Sequence, residues 1–319
     1  MKAAIYDTAG TPDVLRYAEV MDPVCGADEV LIRVEAISIE GGDLINRALA
    51  PPPHAGFIVG FAAAGEIIAV GQDVHDRKIG QRVTSFDGAG SHAELRAVSA
   101  RQTWLVPDAV AIADAAVLPI AFGTAHHSLF ARGHLAKGQT VLIQAGAGGV
   151  GLAAIQLAHR AGASVIATLS GSDRAPRLRA LGADHVIDYR AGDVVAAVME
   201  MTGDRGVDLV IDPVGSTLQQ SLAVLRAEGR LVFVGNAGGP QLTVDLWPAL
   251  QANQSLLGVF MGSQFTTPQV YPTVSQMLEQ VAKGELSVVI NRSFALAEAA
   301  AAHAYAQSSA LLGRVVMVP

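Results

Sequence analysis

Residues 141–158 have the sequence VLIQAGAGGVGLAAIQLA, which combines an apolar run, a cluster of glycines and a helical spacing of apolar residues. The apolar run at residues 141–143 predicts a buried strand, and the apolar spacing over residues 150–159 predicts a helix that ends at Gly162. Three glycines between them fit the pattern G-x-G-x-x-G: Gly146, Gly148 and Gly151. The stretch therefore predicts a strand, a glycine-rich loop and a helix in succession.

A loop of this kind has physical reasons to bind a dinucleotide. The first glycine permits a tight turn, the second lets the backbone approach a pyrophosphate, and the third lets the helix pack near the strand. The pyrophosphate then lies at the helix N-terminus, against unsatisfied N–H groups. The alternative, a glycine-rich turn in an alanine-rich protein, fits the flanking elements less well. We predict cofactor contacts from Gly146, Gly148, Gly149, Val150 and Gly151.

Short apolar strands alternate with helical segments after this loop. Further strands are predicted at residues 165–168, 185–187, 207–211, 230–234 and 256–259, and a helix at residues 174–181. This alternation predicts βαβ units and a parallel sheet covered on both faces. The first third instead predicts strands and turns, with strands at residues 30–36, 64–70 and 82–84. The tail predicts a helix at residues 295–306 and a closing strand at residues 313–318.

Composition limits the class of protein. The chain has 319 residues, 51% of them hydrophobic and 16% charged, which predicts a folded protein of roughly two domains. Its net charge of −7 lacks the basic footprint of a nucleic-acid-binding protein. The single cysteine, Cys25, excludes a disulfide within the chain and a thiolate-rich zinc site. We found no signal-peptide or membrane-span pattern, and we expect a cytoplasmic protein.

The end of the second predicted strand bears on the choice between NADH and NADPH. An NAD site usually has Asp or Glu about 20 residues beyond the loop, to bind the ribose 2′-hydroxyl. Here Ser170 offers a hydroxyl, and Arg174 offers a charge-assisted fork for a 2′-phosphate. Asp173 would repel a phosphate if it pointed inward, but as the start of a helix it is more simply an N-cap. We predict NADPH, with NADH as the less favoured alternative.

Several segments together indicate a family. Residues 141–158 closely resemble the quinone oxidoreductase branch of the medium-chain dehydrogenase/reductase superfamily, and family-like pieces follow in order over essentially the whole chain. They lie at residues 118–125, 181–190, 206–215 and 313–316. The resemblance implies an α/β protein with two domains. A GroES-like, mainly-β catalytic domain comprises residues 1–118 and 263–319, and a Rossmann NADPH-binding domain with a doubly wound parallel sheet comprises residues 119–262.

The resemblance also implies contacts outside the glycine loop. They are Thr124 near the nicotinamide, Tyr189 near the adenosine end, Gly235 and Asn236 along the cofactor, and Arg314 near the phosphates. Without the resemblance, Tyr189 would be explained as covering a strand end and Arg314 as a solvated strand residue. The resemblance further implies a homodimer that pairs the last Rossmann strands, near residues 256–259, across a two-fold axis.

Zinc ligands of the zinc-dependent relatives are missing. Those relatives use a cysteine early in the chain and a Gly-His-Glu segment, whereas residues 37–43 contain no cysteine and Phe61 replaces the histidine. We therefore expect no zinc, and so no strong Lewis acid to polarise an alcohol or carbonyl. The sequence predicts NADPH-dependent hydride transfer to a small-molecule quinone or similar conjugated carbonyl acceptor.

Two positions depart from the family pattern. Glu40 stands where many relatives have asparagine near the nicotinamide, and Ile45 where many have tyrosine near the substrate, whereas Asp43 and Arg47 keep the polar pattern. A partly buried glutamate can act as an acid, so Glu40 is a candidate catalytic residue. The alternative is that it pairs with a nearby base or faces solvent. Two other functions stay open: a reductase of activated C=C bonds in enones or enoyl thioesters, and a non-catalytic NADPH-binding regulatory protein.

Overall fold

A computed structural model describes residues 1–239, 242–308 and 311–319. It divides into two compact units. Unit one consists of Met1–Gly123 and Gly262–Pro319, and unit two consists of Thr124–Met261. The helix Ile112–His126 contains both the predicted domain boundary, between residues 118 and 119, and the point where one unit gives way to the other.

Strands and helices follow one another along the described chain. The strands are β1 (Lys2–Tyr6), β2 (Arg16–Glu19), β3 (Glu29–Ile39), β4 (Phe57–Ile58), β5 (Ala62–Val70), β6 (Arg82–Phe86), β7 (Leu95–Ser99), β8 (Thr103–Leu105), β9 (Thr140–Ile143), β10 (Ser164–Leu169), β11 (His185–Asp188), β12 (Val207–Asp212), β13 (Leu225–Phe233), β14 (Ser255–Gly258), β15 (Ile290–Ala295) and β16 (Arg314–Val318). The α-helices are α1 (Gly41–Leu49), α2 (Ile112–His126), α3 (Gly149–Arg160), α4 (Ala175–Ala180), α5 (Val194–Thr202), α6 (Leu218–Ala223), α7 (Trp247–Gln251), α8 (Tyr271–Ala282) and α9 (Ala299–Ala306). None of the helices within the described ranges combines the length and apolar character needed to cross a bilayer.

Unit two is built on a six-stranded sheet in the order β11-β10-β9-β12-β13-β14, and every neighbouring pair is parallel. Strands β9, β10 and β12 are buried along nearly their whole length, as parallel strands covered on both faces should be. Apolar residues of α5, α6 and α7 pack with them in one core. The predicted doubly wound α/β fold is therefore confirmed.

Unit one contains a seven-stranded sheet, in which β15, β16, β3, β5, β6 and β8 lie in that order and β7 also pairs with β3. A smaller sheet has the order β2-β1-β4. The closing strand β16 runs antiparallel to β3, with Val315 opposite Ile39. Because the tail completes the sheet begun near the N-terminus, Arg314 and Glu40 are brought to the same place.

Many element ends differ from the prediction by a few residues, and three of them are instructive. Strand β13 begins at Leu225, earlier than the predicted residue 230. The tail helix begins at Ala299, because Ala295 is the last residue of β15 and pairs with Val318. Helix α4 covers only Ala175–Ala180, within the predicted 174–181. In the tail, pairing within the sheet outweighs the helix propensity of alanine.

Two histidines form a buried pair inside unit one. Nε2 of His92 lies 2.9 Å from Nε2 of His303, so one imidazole N–H donates to the other ring. The rings are in edge-to-face contact, and both residues are fully buried. Gly60 is required beside them, because a Cβ there would lie 2.0 Å from Nδ1 of His92 and the backbone has φ +111°.

Burial keeps this pair uncharged. It lowers the pKa of His92 well below its usual value, and the neighbouring His303 and Arg96 act in the same direction. Burial, with a smaller contribution from Arg47, lowers the pKa of His303 to about 3. The unfolded chain would bind protons on these histidines near pH 6.5, whereas the folded chain binds them only at lower pH.

Acid should therefore destabilise unit one through this pair. Stability from the pair is complete above about pH 6.5 and is lost as the pH falls towards the folded-state values. We expect His303→Gln to flatten the fall in urea midpoint between about pH 6.5 and 4, because glutamine does not titrate. Fluorescence of Trp104, buried in unit one, would follow the transition. The exposed His185 provides the control, His185→Gln; equal slopes in both variants would contradict the assignment.

Candidate functional site

The loops that carry the predicted cofactor residues meet at one edge of the unit-two sheet. The strands are parallel, so their carboxyl ends lie together, and the chain leaves β9 for β10 and β11 on one side before returning to β12 on the other. Such a reversal opens a crevice outside the carboxyl ends of the strands, where ligands of open α/β sheets bind. The glycine loop follows β9, Ser170 and Arg174 follow β10, Tyr189 follows β11, and Gly235 and Asn236 follow β13.

The glycine loop has the shape that its sequence predicts. Helix α3 starts at Gly149, and Gly148 is its N-cap. A Cβ on Gly151 would lie 2.4 Å from the carbonyl oxygen of Ala145, and one on Gly146 would lie 2.9 Å from Cβ of Ala167. A Cβ on Gly148 would meet only the Ala145 oxygen, at 3.4 Å. Packing of the chain therefore requires the first and third glycines, and the second leaves room for a ligand, which fits a pyrophosphate.

Ser170 and Arg174 lie side by side after β10. Nη2 of Arg174 donates to Oγ of Ser170 at 2.9 Å, and both side chains are mostly buried. Asp173 is not the predicted N-cap: it lies inside the 3₁₀ turn Ser172–Arg174, where Gly171 occupies the cap position. Its side chain is 82% exposed, with an oxygen 4.0 Å from Nε of Arg174. The turn therefore turns the carboxylate outward and the guanidinium towards the serine hydroxyl.

The remaining predicted cofactor residues of unit two differ in exposure. Tyr189 is 49% exposed at the end of β11, and its backbone N–H donates to the carbonyl of Leu169. Thr124 is buried in α2. Gly235 and Asn236 are partly buried after β13. These positions fit the predicted contacts in location, and the contacts themselves stay predictions.

In unit one, Glu40 is 1% exposed and both of its oxygens are engaged. Oγ of Ser38 donates to Oε1 at 2.6 Å. Nη2 of Arg314 lies 2.5 Å from Oε2, an ion pair without the alignment of a hydrogen bond. From the sequence, Glu40 is either a catalytic acid or a residue that pairs with a nearby base or faces solvent. The structure shows the ion pair with a base, Arg314. Arg314, predicted near the cofactor phosphates, has its guanidinium on this carboxylate.

Asp43 joins the same cluster from the first turn of α1. Its Oδ2 accepts the backbone N–H of Glu40 at 2.8 Å, which satisfies a donor at the start of the helix. Burial raises the pKa of Asp43 to about 8, and the nearby Glu40 adds to this. Burial also raises the pKa of Glu40, against the opposing effects of Arg314 and Ser38. Burial thus favours the neutral form of both acids, and the charge of Arg314 favours the ionised form of both.

Arg47 and Ile45 lie further along α1. Arg47 is fully buried, and its Nη1 donates to the carbonyl oxygen of Gly10. Burial lowers the pKa of Arg47, and the charges of Asp13 and Tyr6 oppose this. Ile45 is partly buried. The structure assigns Arg47 a role in holding the Gly10 turn, and its predicted place beside a substrate stays a prediction.

Comparison with known proteins agrees with both units. The alcohol dehydrogenase GroES-like domain matches residues 26–108, and the zinc-binding dehydrogenase family matches residues 149–280. A quinone oxidoreductase of Pseudomonas aeruginosa is 33% identical over 97% of each chain. A 2-haloacrylate reductase of a Burkholderia species is 32% identical over 99% of this chain and 98% of its own. The crystal structure of Escherichia coli quinone oxidoreductase complexed with NADPH has a TM-score of 0.94 and 28% identity, with 100% of both chains covered.

The chain belongs to the quinone oxidoreductase branch of the medium-chain dehydrogenase/reductase superfamily. The resemblance carried by residues 141–158 is confirmed, and the chain is an oxidoreductase of the quinone oxidoreductase type. Sequence reasoning missed Ser38, and it assigned no role to Gln144, Thr168, Asp212 and Ser221, which are buried near the glycine loop. The available signal was that Thr168 and Asp212 are polar residues at or near the ends of apolar strands.

The segment that holds a zinc ligand in zinc-dependent members of the superfamily is apolar here. The centroids of the Phe61 and Phe86 rings are 6.3 Å apart. A Cβ on Gly42 would lie 2.4 Å from the ring of Phe61. Over residues 1–239, 242–308 and 311–319, no three His, Cys, Asp or Glu side chains are grouped as a metal site requires. Catalysis without zinc stays a prediction.

The Glu40–Arg314 pair should be sensitive to removal of one partner only. Arg314→Gln would leave a buried carboxylate without its cation, and we expect a loss of about 3 kcal/mol in the free energy of unfolding. Glu40→Gln/Arg314→Gln removes both charges, so it should lose less than Arg314→Gln alone. Urea unfolding of the cofactor-free protein at neutral pH, followed by Trp104 fluorescence, measures both. A double variant that loses as much as Arg314→Gln alone, or more, would contradict the pairing.

Proposed function

We propose that this protein is an NADPH-dependent oxidoreductase of the cytoplasm that transfers hydride to a quinone or similar conjugated carbonyl acceptor without zinc. The observation that carries the proposal is the Arg174–Ser170 pair at the end of β10, on the same sheet edge as the glycine loop. A guanidinium and a hydroxyl suit a 2′-phosphate, and the neighbouring Asp173 carboxylate is 82% exposed.

Each part of the cofactor would be held by different residues of unit two. The loop Gly146, Gly148, Gly149, Val150 and Gly151 would hold the pyrophosphate, and Ser170 with Arg174 the 2′-phosphate. Tyr189 would lie by the adenosine, Gly235 and Asn236 along the cofactor, and Thr124 near the nicotinamide. Bound NADPH would supply the hydride. The complex of the Escherichia coli relative with NADPH supports NADPH as the cofactor.

The acceptor is proposed from the chemistry that the chain offers. An electron-poor conjugated acceptor takes hydride without a Lewis acid, so positioning is the main task of the protein. We propose that Asp43, Ile45 and Arg47 lie on the acceptor side. Glu40 is the candidate proton donor of this set, because reduction of a quinone requires a proton as well as hydride. Its engagement with Arg314 supports the competing role of holding the β16 strand.

Reduction of an activated C=C bond is the second candidate. The 2-haloacrylate reductase among the relatives favours it, since that name describes an electron-poor alkene as the substrate. Both reactions add hydride to a conjugated system, so the same cofactor site serves either. The nature of the acceptor, not the cofactor, separates them.

The test is to mix the protein with NADPH and a panel of quinones, enones and enoyl thioesters and to follow the loss of NADPH absorbance. We expect turnover, with the largest kcat/KM on a quinone. A larger kcat/KM on the alkenes would assign the second candidate. Tight NADPH binding without oxidation by any acceptor would indicate the non-catalytic protein, and absence of both binding and turnover would overturn the proposal.

Arg174 should set the preference for NADPH. We expect Arg174→Gln to raise the KM for NADPH about tenfold to a hundredfold, because a charged hydrogen-bond donor to phosphate is lost. The KM for NADH should change little. Arg179→Gln is the matched control, since Arg179 is an exposed arginine of α4, the helix that follows Arg174. An equal effect of Arg174→Gln on the two cofactors would refute a 2′-phosphate contact.

We also propose a homodimer through β14. This strand is at the edge of the unit-two sheet; Leu256 within it is 43% exposed, and Phe260 just after it is 80% exposed. An open edge with apolar side chains is a template for pairing with a second copy. Sedimentation equilibrium should give a dimer for the native chain and for the control Met21→Asp, and a monomer for Leu256→Asp. A native monomer would exclude the arrangement.

A further inference from the structure

A chain of buried polar side chains lies under the glycine loop in unit two. Oγ1 of Thr168 donates to Oε1 of Gln144 at 2.7 Å, and Nε2 of Gln144 donates to Oγ of Ser221 at 3.2 Å. Oγ of Ser221 in turn donates to Oδ2 of Asp212 at 2.7 Å. All four residues are at most 2% exposed. The chain therefore connects the ends of β10, β9 and β12 with helix α6.

The hydrogen bonds of this side-chain network all have the same donor-to-acceptor direction, from Thr168 towards Asp212. At its start, the backbone N–H of Ala145 donates to Oγ1 of Thr168 at 3.2 Å. Each group then donates to the next, until the carboxylate of Asp212 accepts the last hydrogen bond. Hydrogen bonds aligned in one direction polarise one another, and in a buried setting they favour a single arrangement.

The Thr168 end of this hydrogen-bonded network contacts the strained residue of the glycine loop. Ala145 has φ +51°, a left-handed conformation that residues with a Cβ adopt at a cost. Thr168 holds this residue through its hydroxyl, and its carbonyl oxygen accepts the N–H of Gly146 at 2.7 Å. One residue of β10 thus fixes the first two peptide units of the loop. Strain of this kind persists only where surrounding contacts over-determine the conformation.

The Asp212 end of the network fixes a second loop, the one that follows β12. Oδ1 of Asp212 accepts the backbone N–H groups of Val214 and Gly215, at 2.9 and 3.0 Å. Oγ1 of Thr217 donates to the same carboxylate at 2.7 Å. Asp212 is therefore held by hydrogen bonds from its own loop and from Ser221. The loop after β12 and the glycine loop after β9 share one network, on the two sides of the sheet reversal.

We propose that Thr168, Gln144 and Ser221 are positioning residues that order the glycine loop, before any ligand arrives, for the pyrophosphate of a dinucleotide. The inference rests on the proposed function only for the identity of that ligand. An ordered loop binds more tightly, because less conformational entropy is lost on binding. Loss of any member of the network should therefore weaken the cofactor complex without touching the cofactor.

Three variants separate this role from a contribution to stability alone. Thr168→Val removes the hydroxyl at constant shape, and Thr168→Ser restores it. Ser221→Ala breaks the network two side chains away from Thr168. Thr202→Val is the matched control: Oγ1 of Thr202 donates to the carbonyl of Val198 and accepts the N–H of Gly206 at the far end of α5, so a threonine network is lost away from the loop.

Two measurements decide the proposal. Hydrogen exchange of residues 144–149 in the cofactor-free protein should accelerate in Thr168→Val and Ser221→Ala, and stay at the native rate in Thr168→Ser and Thr202→Val. Fluorescence titration should show NADPH bound about fivefold more weakly by Thr168→Val, as expected for one hydrogen bond, and less weakened in Ser221→Ala. At saturating NADPH, kcat should be unchanged, because the residues act on binding.

Unchanged exchange and unchanged NADPH affinity in Thr168→Val would overturn the proposal, as would equal weakening by Thr202→Val. A native protein that binds neither NADPH nor NADH would instead overturn the proposed function. In that case the exchange rates of residues 144–149 still decide whether the network orders the loop. The two failures are therefore distinguishable.

Discussion

Parallel strands all end at the same edge of a sheet, and this constraint organises unit two. The polar groups that a dinucleotide requires come from loops separated by whole helices, yet each loop follows a strand of the same sheet. The apolar strands satisfy their backbone groups within the ladder, and the loops hold polar groups at the edge. Ligands of open α/β sheets bind at a reversal of strand order, which here lies between β9 and β12.

Unit one depends on a different constraint, the return of the tail to the first sheet. Pairing of β16 with β3 places the cation of Arg314 where β3 ends, and the carboxylate of Glu40 begins helix α1 at that point. A buried carboxylate is tolerated there because a cation and a hydroxyl donor face it. The sheet, the helix start and the charge pair therefore stabilise one another.

Local features were accessible from the sequence, and long-range ones were not. The glycine loop and the Ser170–Arg174 pair lie within short segments, so spacing and residue type were enough to locate them. The contacts His92–His303 and Glu40–Arg314 join residues far apart in sequence, and no local pattern encodes such a meeting. The N-cap role predicted for Asp173 was wrong, because its segment forms a 3₁₀ turn with Gly171 at the cap position. The Thr168 network combines both cases: strand-end polar residues are visible in the sequence, but their hydrogen bonds depend on strand order.

The Glu40–Arg314 pair also limits which substitutions these two positions tolerate. The family resemblance implies that many relatives have asparagine at the Glu40 position. An amide oxygen can accept a hydrogen bond from a guanidinium without bringing a charge, so asparagine and glutamate can both face the arginine. Glutamate without the arginine would be a buried, unpaired carboxylate. Glutamate at this position is therefore expected only together with a cation at position 314.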